Sequence, residues 1–534
     1  MRGIRLPVRG LVGLGVFGLS LALYVATAAP GLTWRNDSAD GGDLAAAAWT
    51  LGVAHPTGYP TYVLLARGFA ALLPWLEVAH RLNLFSAVAA AMSASLVFLL
   101  LERVLARLGA PGSSAALRYG VAGVSAVALA SSPVLWSQAT VTEVYALNAL
   151  FFVAVVALSW DLLGTPQVAA EAAGRFASPA LGLAARGRLP LAALLLGLGM
   201  GNHVALGFLA PALAGLYFTS PYRTWGMSLG LITCFIVGLG VYLYVPLRAA
   251  AGPPINWGQA DSWEGFWWLV SGAPYRSFVF GVSPSDLFPR VMSWAGLLVE
   301  QFTLVGVGVG FLGLGLLLER WPRLLWDTLA VGVFYVVYAI GYRPGDSYVY
   351  LIPFFVLFAL WMAVGWWGLF TQVLPQVLRS SRWAAGGLVV LMVGVPLFNV
   401  VANYDHLDLS KDVEAREYAA GVFRVVPDGA LVLAKDDAHV FSLWHQRYVE
   451  APDSQVMVVA APLLQYQWYW DQLRQREPGR VPSLDPGNWE ARLLTLVEAN
   501  LAKGVYLTYE DDLVKERYTL VPVGKTHRVV QREE

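Results

Sequence analysis

The sequence predicts an α-helical polytopic membrane protein with a small α/β domain at its C-terminal end. Three observations carry this expectation. The 534 residues are 57% hydrophobic and only 13% charged, against about 25% charged in soluble domains, and the mean hydropathy is +0.56. Apolar runs long enough to cross a bilayer, about 20 residues each, recur along most of the chain. The charge is also unevenly spread: from Asn403 onward there are 15 Lys and Arg and 21 Asp and Glu, half of all charged residues in the chain. Residues 1–402 are therefore read as the membrane domain and 403–534 as a soluble one.

The expected spans are 11–29, 82–102, 118–134, 144–163, 189–201, 203–219, 224–246, 292–318, 324–341, 348–370 and 383–402, about eleven in all. The stretch 60–76 is shorter and enclosed by Pro60 and Pro74, which suggests a helix lying along the interface. Arg2, Arg5 and Arg9 place the N-terminus in the cytoplasm. Alternation then gives inner loops holding Arg103, Arg107 and Arg118; Arg175, Arg186 and Arg188; Arg223; Arg320 and Arg323; and Arg379 and Arg382. Every inner loop carries arginine, and an odd span count puts the C-terminal domain outside the cell membrane. A cleaved signal peptide ending near Ala26-Thr-Ala28 is the alternative for the first segment, but the apolar run is long for one. The unusual polar residues then cluster in the outer loops, so chemistry is expected on the extracytoplasmic face.

In the C-terminal domain, Leu431–Ala434, Val456–Ala460 and Gly504–Tyr509 read as short strands. Asp412–Phe423 and Pro486–Leu501 read as helices. This alternation points to a small α/β unit.

Several functions are excluded. A formal net charge of zero gives no basic excess for nucleic acid. One cysteine, Cys234, allows neither an intrachain disulfide nor a multi-cysteine metal site. Gly308-Val-Gly-Phe-Leu-Gly313 matches a dinucleotide fingerprint, but it lies inside an apolar span with no strand before it, so it reads as helix packing through small residues. There is no Walker A motif, which argues against an ATP-driven pump.

The first outer loop carries the densest chemistry. Asp37, Asp40 and Asp43 follow the first span, and His55-Pro-Thr-Gly-Tyr-Pro60 follows the next short helix. Carboxylates are costly in lipid, so they belong at a surface or in a polar cavity. Asp37 reads as a helix cap, while Asp40 and Asp43 would share one face of the helix. His55, before a proline, is pushed to an extended backbone that turns its ring away from the preceding helix. Other outer candidates are Glu143 with Tyr145, Asn202-His203, Arg248 at the end of a span, Asn256-Trp257, Arg276, and Arg343 with Asp346. Arginine suits bidentate contact with phosphate; the plainer reading of each is a snorkelling interfacial residue. Asp40, Asp43 and His55 also offer oxygen and nitrogen ligands for a divalent metal.

These motifs resemble the DUF2723 family, whose hallmark is an acidic D-x-G-E-type motif followed by a helix and H-P-P-G-Y-P. Here they read Asp40-Gly-Gly-Asp43 and His55-Pro-Thr-Gly-Tyr-Pro60, with Asp43 for the usual Glu and Thr57 for the second Pro. Arg81-Leu-Asn-Leu-Phe-Ser86, Trp136-Ser-Gln138, Glu143-Val-Tyr145, Gly201-Asn-His203, Pro246-Leu-Arg248, Asn256-Trp-Gly258 and Asp346-Ser-Tyr-Val-Tyr350 are similar as well. The resemblance implies a GT-C-like glycosyltransferase fold; one eukaryotic branch of the family acts as protein O-mannosyltransferases on plexin-type receptors. It further implies a sugar donor on a polyprenyl phosphate, an acceptor on protein or envelope glycan, and inversion at the anomeric carbon. A first-loop acid would be the base, Asp40 by motif position with Asp43 as the alternative. Arg248, with Arg276, Arg343 or His203, would hold the departing phosphate, and His55, Tyr59, Glu143, Tyr145, Asn256, Trp257 and Asp346 would support the substrate site. The competing expectation is a transporter or lipid flippase, which should show internal repeats and acids near mid-membrane; neither stands out in the sequence.

Overall fold

Apolar length explains most of the architecture. In the computed structural model, which describes residues 8–109, 114–163, 179–377 and 382–532, seven helices are long and apolar enough to cross a bilayer. They are Val8–Thr27, Val78–Leu108, Trp225–Ala250, Pro284–Arg320, Pro322–Gly341, Gly345–Val373 and Trp383–Leu407. Ala115–Ala130 and Pro133–Ala139 make an eighth if counted as one span; they meet at a 65° bend, where Pro133 cannot continue the preceding hydrogen-bond ladder. The expected segments at 144–163, 189–201 and 203–219 are helical but short: Tyr145–Leu158, Gly187–Met200 and Val204–Phe218. The Pro60–Ala70 helix occupies the stretch expected to lie along the interface.

Close packing of the helices depends on small residues. A Cβ on Gly313 would lie 1.8 Å from the Trp361 carbonyl oxygen, so only glycine lets Pro284–Arg320 approach the Ile352–Gly368 helix. Gly310 and Gly313 within the Gly308–Gly313 pattern thus serve helix packing, while a Cβ on Gly308 would meet open space. Polar pins complete the bundle: Trp136 Nε1 donates to Thr27 Oγ1 at 2.8 Å, and the Val134 N–H donates to Gln301 Oε1 at 2.9 Å.

The last membrane helix runs without a break past Asn403 to Leu407. Beyond it, five strands form one sheet in the order β2-β1-β3-β5-β4. These are β1 (Leu431–Ala434), β2 (Met457–Ala460), β3 (Val505–Leu507), β4 (Tyr518–Val523) and β5 (Thr526–Gln531). The first three pair in parallel, Leu431 beside Met457 and beside Val505, and are fully buried, as parallel strands covered on both faces must be. β4 and β5 form an antiparallel hairpin that the sequence reading missed. Pro522 argues against a strand within the apolar run of β4, and neither strand is continuously buried.

The C-terminal domain is docked on the membrane domain through the helix Asp437–His445, which crosses Gly41–Thr50. A Cβ on Gly42 would sit 2.4 Å from the Phe441 carbonyl oxygen, so glycine permits this crossing. Trp34 Nε1 reinforces it, donating to Ser442 Oγ at 2.9 Å and to the Ala438 carbonyl at 3.1 Å.

Candidate active site

The site is built around the N-terminal end of the Gly41–Thr50 helix. Asp40 is its N-cap residue, but the Asp40 side chain makes no capping hydrogen bond. Its carboxylate stays 44% exposed and faces His55, with Nε2 at 3.4 Å from Oδ2. Asp43, one turn on, is completely buried. It accepts from the His55 backbone N–H at 2.9 Å, from His55 Nδ1 at 2.8 Å and from Trp257 Nε1 at 3.0 Å. The result is a chain of charges: Asp43 holds His55, and His55 faces Asp40.

The local backbone explains how the partners meet. Val53 N–H donates to the Ile255 carbonyl and Trp257 N–H to the Val53 carbonyl, at 2.8 and 3.2 Å. This short parallel bridge brings the 253–258 loop against the 52–55 turn and delivers the Trp257 indole to Asp43. Tyr59 and Phe441 flank the His55 ring, Phe441 nearly parallel to it at 6.2 Å.

The electrostatics separate the two aspartates. Burial disfavours the His55 imidazolium, yet Asp40 and then the Asp43 hydrogen bond outweigh it and hold the ring's pKa at about 9. The ring is therefore charged near neutral pH, donating from Nδ1 to Asp43 and forming an ion pair through Nε2 with Asp40. Asp40 is raised above the usual carboxylate range by desolvation, opposed by His55 and reinforced by Asp43. Glu143, buried beside them, is pushed well above that range by burial and then by Asp40.

Next to this cluster lies a cavity of about 110 Å³ walled by Tyr59, His203, Tyr275, Arg276, Tyr342 and Tyr350. His203 Nδ1 accepts from the Ala205 N–H at 3.3 Å, which puts its proton on Nε2. With Nδ1 accepting, the ring is a neutral donor through Nε2. The Tyr145 ring packs against His203 and Tyr350, with centroids at 5.5 and 5.8 Å. Arg276 Nη2 donates to Ser271 Oγ at 2.6 Å at the cavity wall.

The other expected residues lie in different settings. Arg248 is not part of that wall. Its Nε donates to the Leu51 carbonyl at 2.6 Å and its Nη2 to the Thr50 carbonyl at 3.4 Å, closing the C-terminal end of the Gly41–Thr50 helix, where carbonyls lack intrahelical partners. Arg343 is exposed on the 342–347 turn, as is Asp346. Asn256 Nδ2 donates to the Ala249 carbonyl at 3.2 Å and shapes the loop that carries Trp257. Asp40, Asp43 and His55 are engaged with one another: Asp43 accepts from His55 and Trp257, and His55 bridges to Asp40. Among the described residues, no three His, Cys, Asp or Glu side chains are grouped to hold a metal ion.

Sequence reasoning missed two participants, Asp437 and Arg290, and read a third, Asp37, as a helix cap, although Asp40 is the N-cap residue. Asp437, at the start of the docked C-terminal helix, is raised to about 6 by burial and then by Asp40, so the C-terminal domain places an acid beside the cluster. Asp436-Asp437 ahead of an apolar run was a helix-start signal, but nothing local pointed it towards residue 40. Arg290 binds the 342–347 turn, donating to the Pro344 carbonyl at 2.8 Å and stacking on Trp294 at 4.8 Å. Asp37 ties the same turn to the first loop by accepting from Tyr348 Oη at 2.5 Å.

Residues 40–226 match the family model of the protein O-mannosyl-transferase TMEM260 N-terminal domain. Over 537 aligned residues the chain is 24% identical to the mouse protein O-mannosyl-transferase TMEM260, covering 92% of this chain and 71% of that protein. The backbone resembles that of ArnT from Cupriavidus metallidurans bound to undecaprenyl phosphate, with a TM-score of 0.58 at 13% identity over 98% of this chain and 97% of that one. It also resembles the archaeal oligosaccharyltransferase AglB from Archaeoglobus fulgidus in complex with an inhibitory peptide and a dolichol-phosphate. There the TM-score is 0.51 at 11% identity, over 93% of this chain and 69% of that one. The chain has the GT-C glycosyltransferase fold. The likeness to ArnT extends over almost the full length of both chains, so it takes in the C-terminal sheet as well as the helices.

Proposed function

We propose that this membrane glycosyltransferase moves a sugar, mannose in the first instance, from a polyprenyl phosphate to an acceptor hydroxyl at the extracytoplasmic face. Similarity to an O-mannosyl-transferase and a fold shared with lipid-phosphate-bound enzymes support the reaction class. The observation that carries the mechanism is the division of labour between the two aspartates. Asp40 is half exposed, free of capping bonds and raised in proton affinity, which suits a general base. Asp43 is buried and accepts three hydrogen bonds, two of them from His55, which suits it to orient His55.

In this reading the acceptor hydroxyl gives its proton to Asp40 as its oxygen bonds to the anomeric carbon. The bond from that carbon to the phosphate oxygen breaks, and the lipid phosphate leaves with the electron pair. Arg276 and the neutral His203 donor stabilise the leaving phosphate in the adjoining cavity, where a fixed donor counts for more than in water. The attack comes from the face opposite the phosphate, so configuration inverts. In this reading the N-terminus is cytoplasmic and the C-terminal domain lies outside, which the arginines of the expected inner loops favour.

The test is release and transfer of labelled mannose from polyprenyl-phosphate mannose by purified protein. Wild type should turn over and Asp40→Asn should not, while binding the donor equally. Equal turnover by both proteins would overturn the assignment.

A further inference from the structure

We infer that the C-terminal domain carries a second binding site, for a neutral pyranose. A cleft of about 110 Å³ lies where the 254–257 loop meets the helix Gln467–Arg476. Trp257, Trp444, Trp468, Tyr469, Gln472 and Arg476 line it. The Trp257 ring centroid lies 6.1 Å from that of Trp444, at 77°, and 6.3 Å from that of Trp468, at 44°. Within this aromatic corner, Trp468 Nε1 and Gln472 Nε2 are buried and bond to nothing in the protein. Buried donors are generally paired, and leaving one unmade costs about 1–3 kcal/mol. Both belong to residues that wall the cleft.

The chemistry selects the ligand class. A pyranose has an apolar C–H face for an aromatic ring and hydroxyl oxygens for N–H donors; aromatic rings line the cleft, and two of its lining residues, Trp468 and Gln472, carry unpaired N–H groups just beneath its surface. The guanidiniums at the cleft are built into its walls. Arg476 Nη1 donates to the Pro254 carbonyl at 2.6 Å, and Arg447 donates to the Pro452 and Val456 carbonyls at 2.8 and 3.1 Å. These bonds stiffen the cleft walls. At about 10–15 Å³ per water on this measure, the space suits one sugar ring better than a peptide segment.

The location gives the site a role. One edge of Trp257 donates to Asp43, and its ring forms the wall of the cleft. A sugar held there would sit one indole away from the Asp40–His55–Asp43 chain. The site would therefore retain an acceptor that already bears a sugar.

The experiment is saturation-transfer NMR on the full-length protein in detergent with the methyl pyranosides of glucose, mannose, galactose and N-acetylglucosamine. At least one should receive saturation from wild type and equally from Asp40→Asn. Its affinity should be about tenfold weaker in Trp468→Phe and in Gln472→Ala. Gln472→Ala removes a side-chain amide donor that bonds to nothing in the protein, so it serves even if Trp468→Phe folds poorly. The proposal is overturned if no pyranoside responds, or if Gln472→Ala binds like wild type. It is equally overturned if only an acceptor peptide responds. Loss of turnover without loss of this signal in Asp40→Asn separates the fate of this site from that of the proposed reaction.

Discussion

The two ends of the Gly41–Thr50 helix carry opposite charges and meet opposite fates. At its C-terminal end, Arg248 is drawn onto the Thr50 and Leu51 carbonyls. At its N-terminal end, Asp43 is drawn into three hydrogen bonds, but Asp40 makes no capping bond and keeps 44% of its surface. A charge within reach of unpaired backbone groups or buried donors becomes part of the scaffold. A charge held by a single, longer ion pair at the surface remains available for proton transfer.

The comparison can be broken most sharply at Asp40. Asp40→Asn should lower the turnover number by about 10²- to 10⁴-fold with little change in thermal stability. A large loss of stability would make Asp40 another scaffold residue. At Asp43 the expectation reverses. Asp43→Ala leaves His55 Nδ1 and the Trp257 indole N–H without their buried acceptor, at a cost of about 3–5 kcal/mol. A thermal melt of the detergent-solubilised protein checks this, and a wild-type melt would refute the structural role.

His55 gives a pH test of the same contrast. Its folded pKa, about 9, lies above the unfolded value of about 6.5. Its stabilising effect is therefore complete below about pH 6.5 and is lost as the pH rises through about 9. Melting temperature should fall across that window in wild type and change less in His55→Gln. An identical fall in both would assign the effect to other groups.

The smallest effect is expected at Arg248. Arg248→Ala should cost about 1–2 kcal/mol of stability through the lost carbonyl bonds and leave KM for the lipid donor nearly unchanged. Arg276→Ala should raise that KM at constant stability. Reversal of these two results would move the phosphate to the other end of the helix.

Several features were legible because local chemistry sets them. The His55 ring orientation was not among them: the proline after it suggested a ring turned away from the preceding helix, whereas the ring folds back onto Asp43 and Asp40 at the start of that helix. The parallel strands Leu431–Ala434 and Met457–Ala460 announce themselves as buried apolar runs. The Gly308–Gly313 stripe could be assigned to packing because no strand precedes it. The residues in the GT-C-like motifs were visible, but not their division between chemistry and support. Asn83, for example, donates to the Ala29 and Gly31 carbonyls at 2.9 Å, and Arg81 fastens the 70–76 turn through the carbonyls of Ala70, Pro74 and Leu76. Arg248 and Arg276 look alike in sequence, since an arginine near a span end is written the same way whether it meets a helix terminus or a cavity.

The amino-acid order alone determined that this chain enters a membrane, where its polar loops fall and that acids gather after its first span. Those properties depend on transfer free energies and backbone preferences that act over a few residues. The tertiary structure decided which aspartate is sealed and which stays open, that Trp257 reaches Asp43 across more than two hundred residues, and that Asp437 joins the cluster from the far domain. Burial and pairing set proton affinity, and both arise only when segments distant along the chain are packed together.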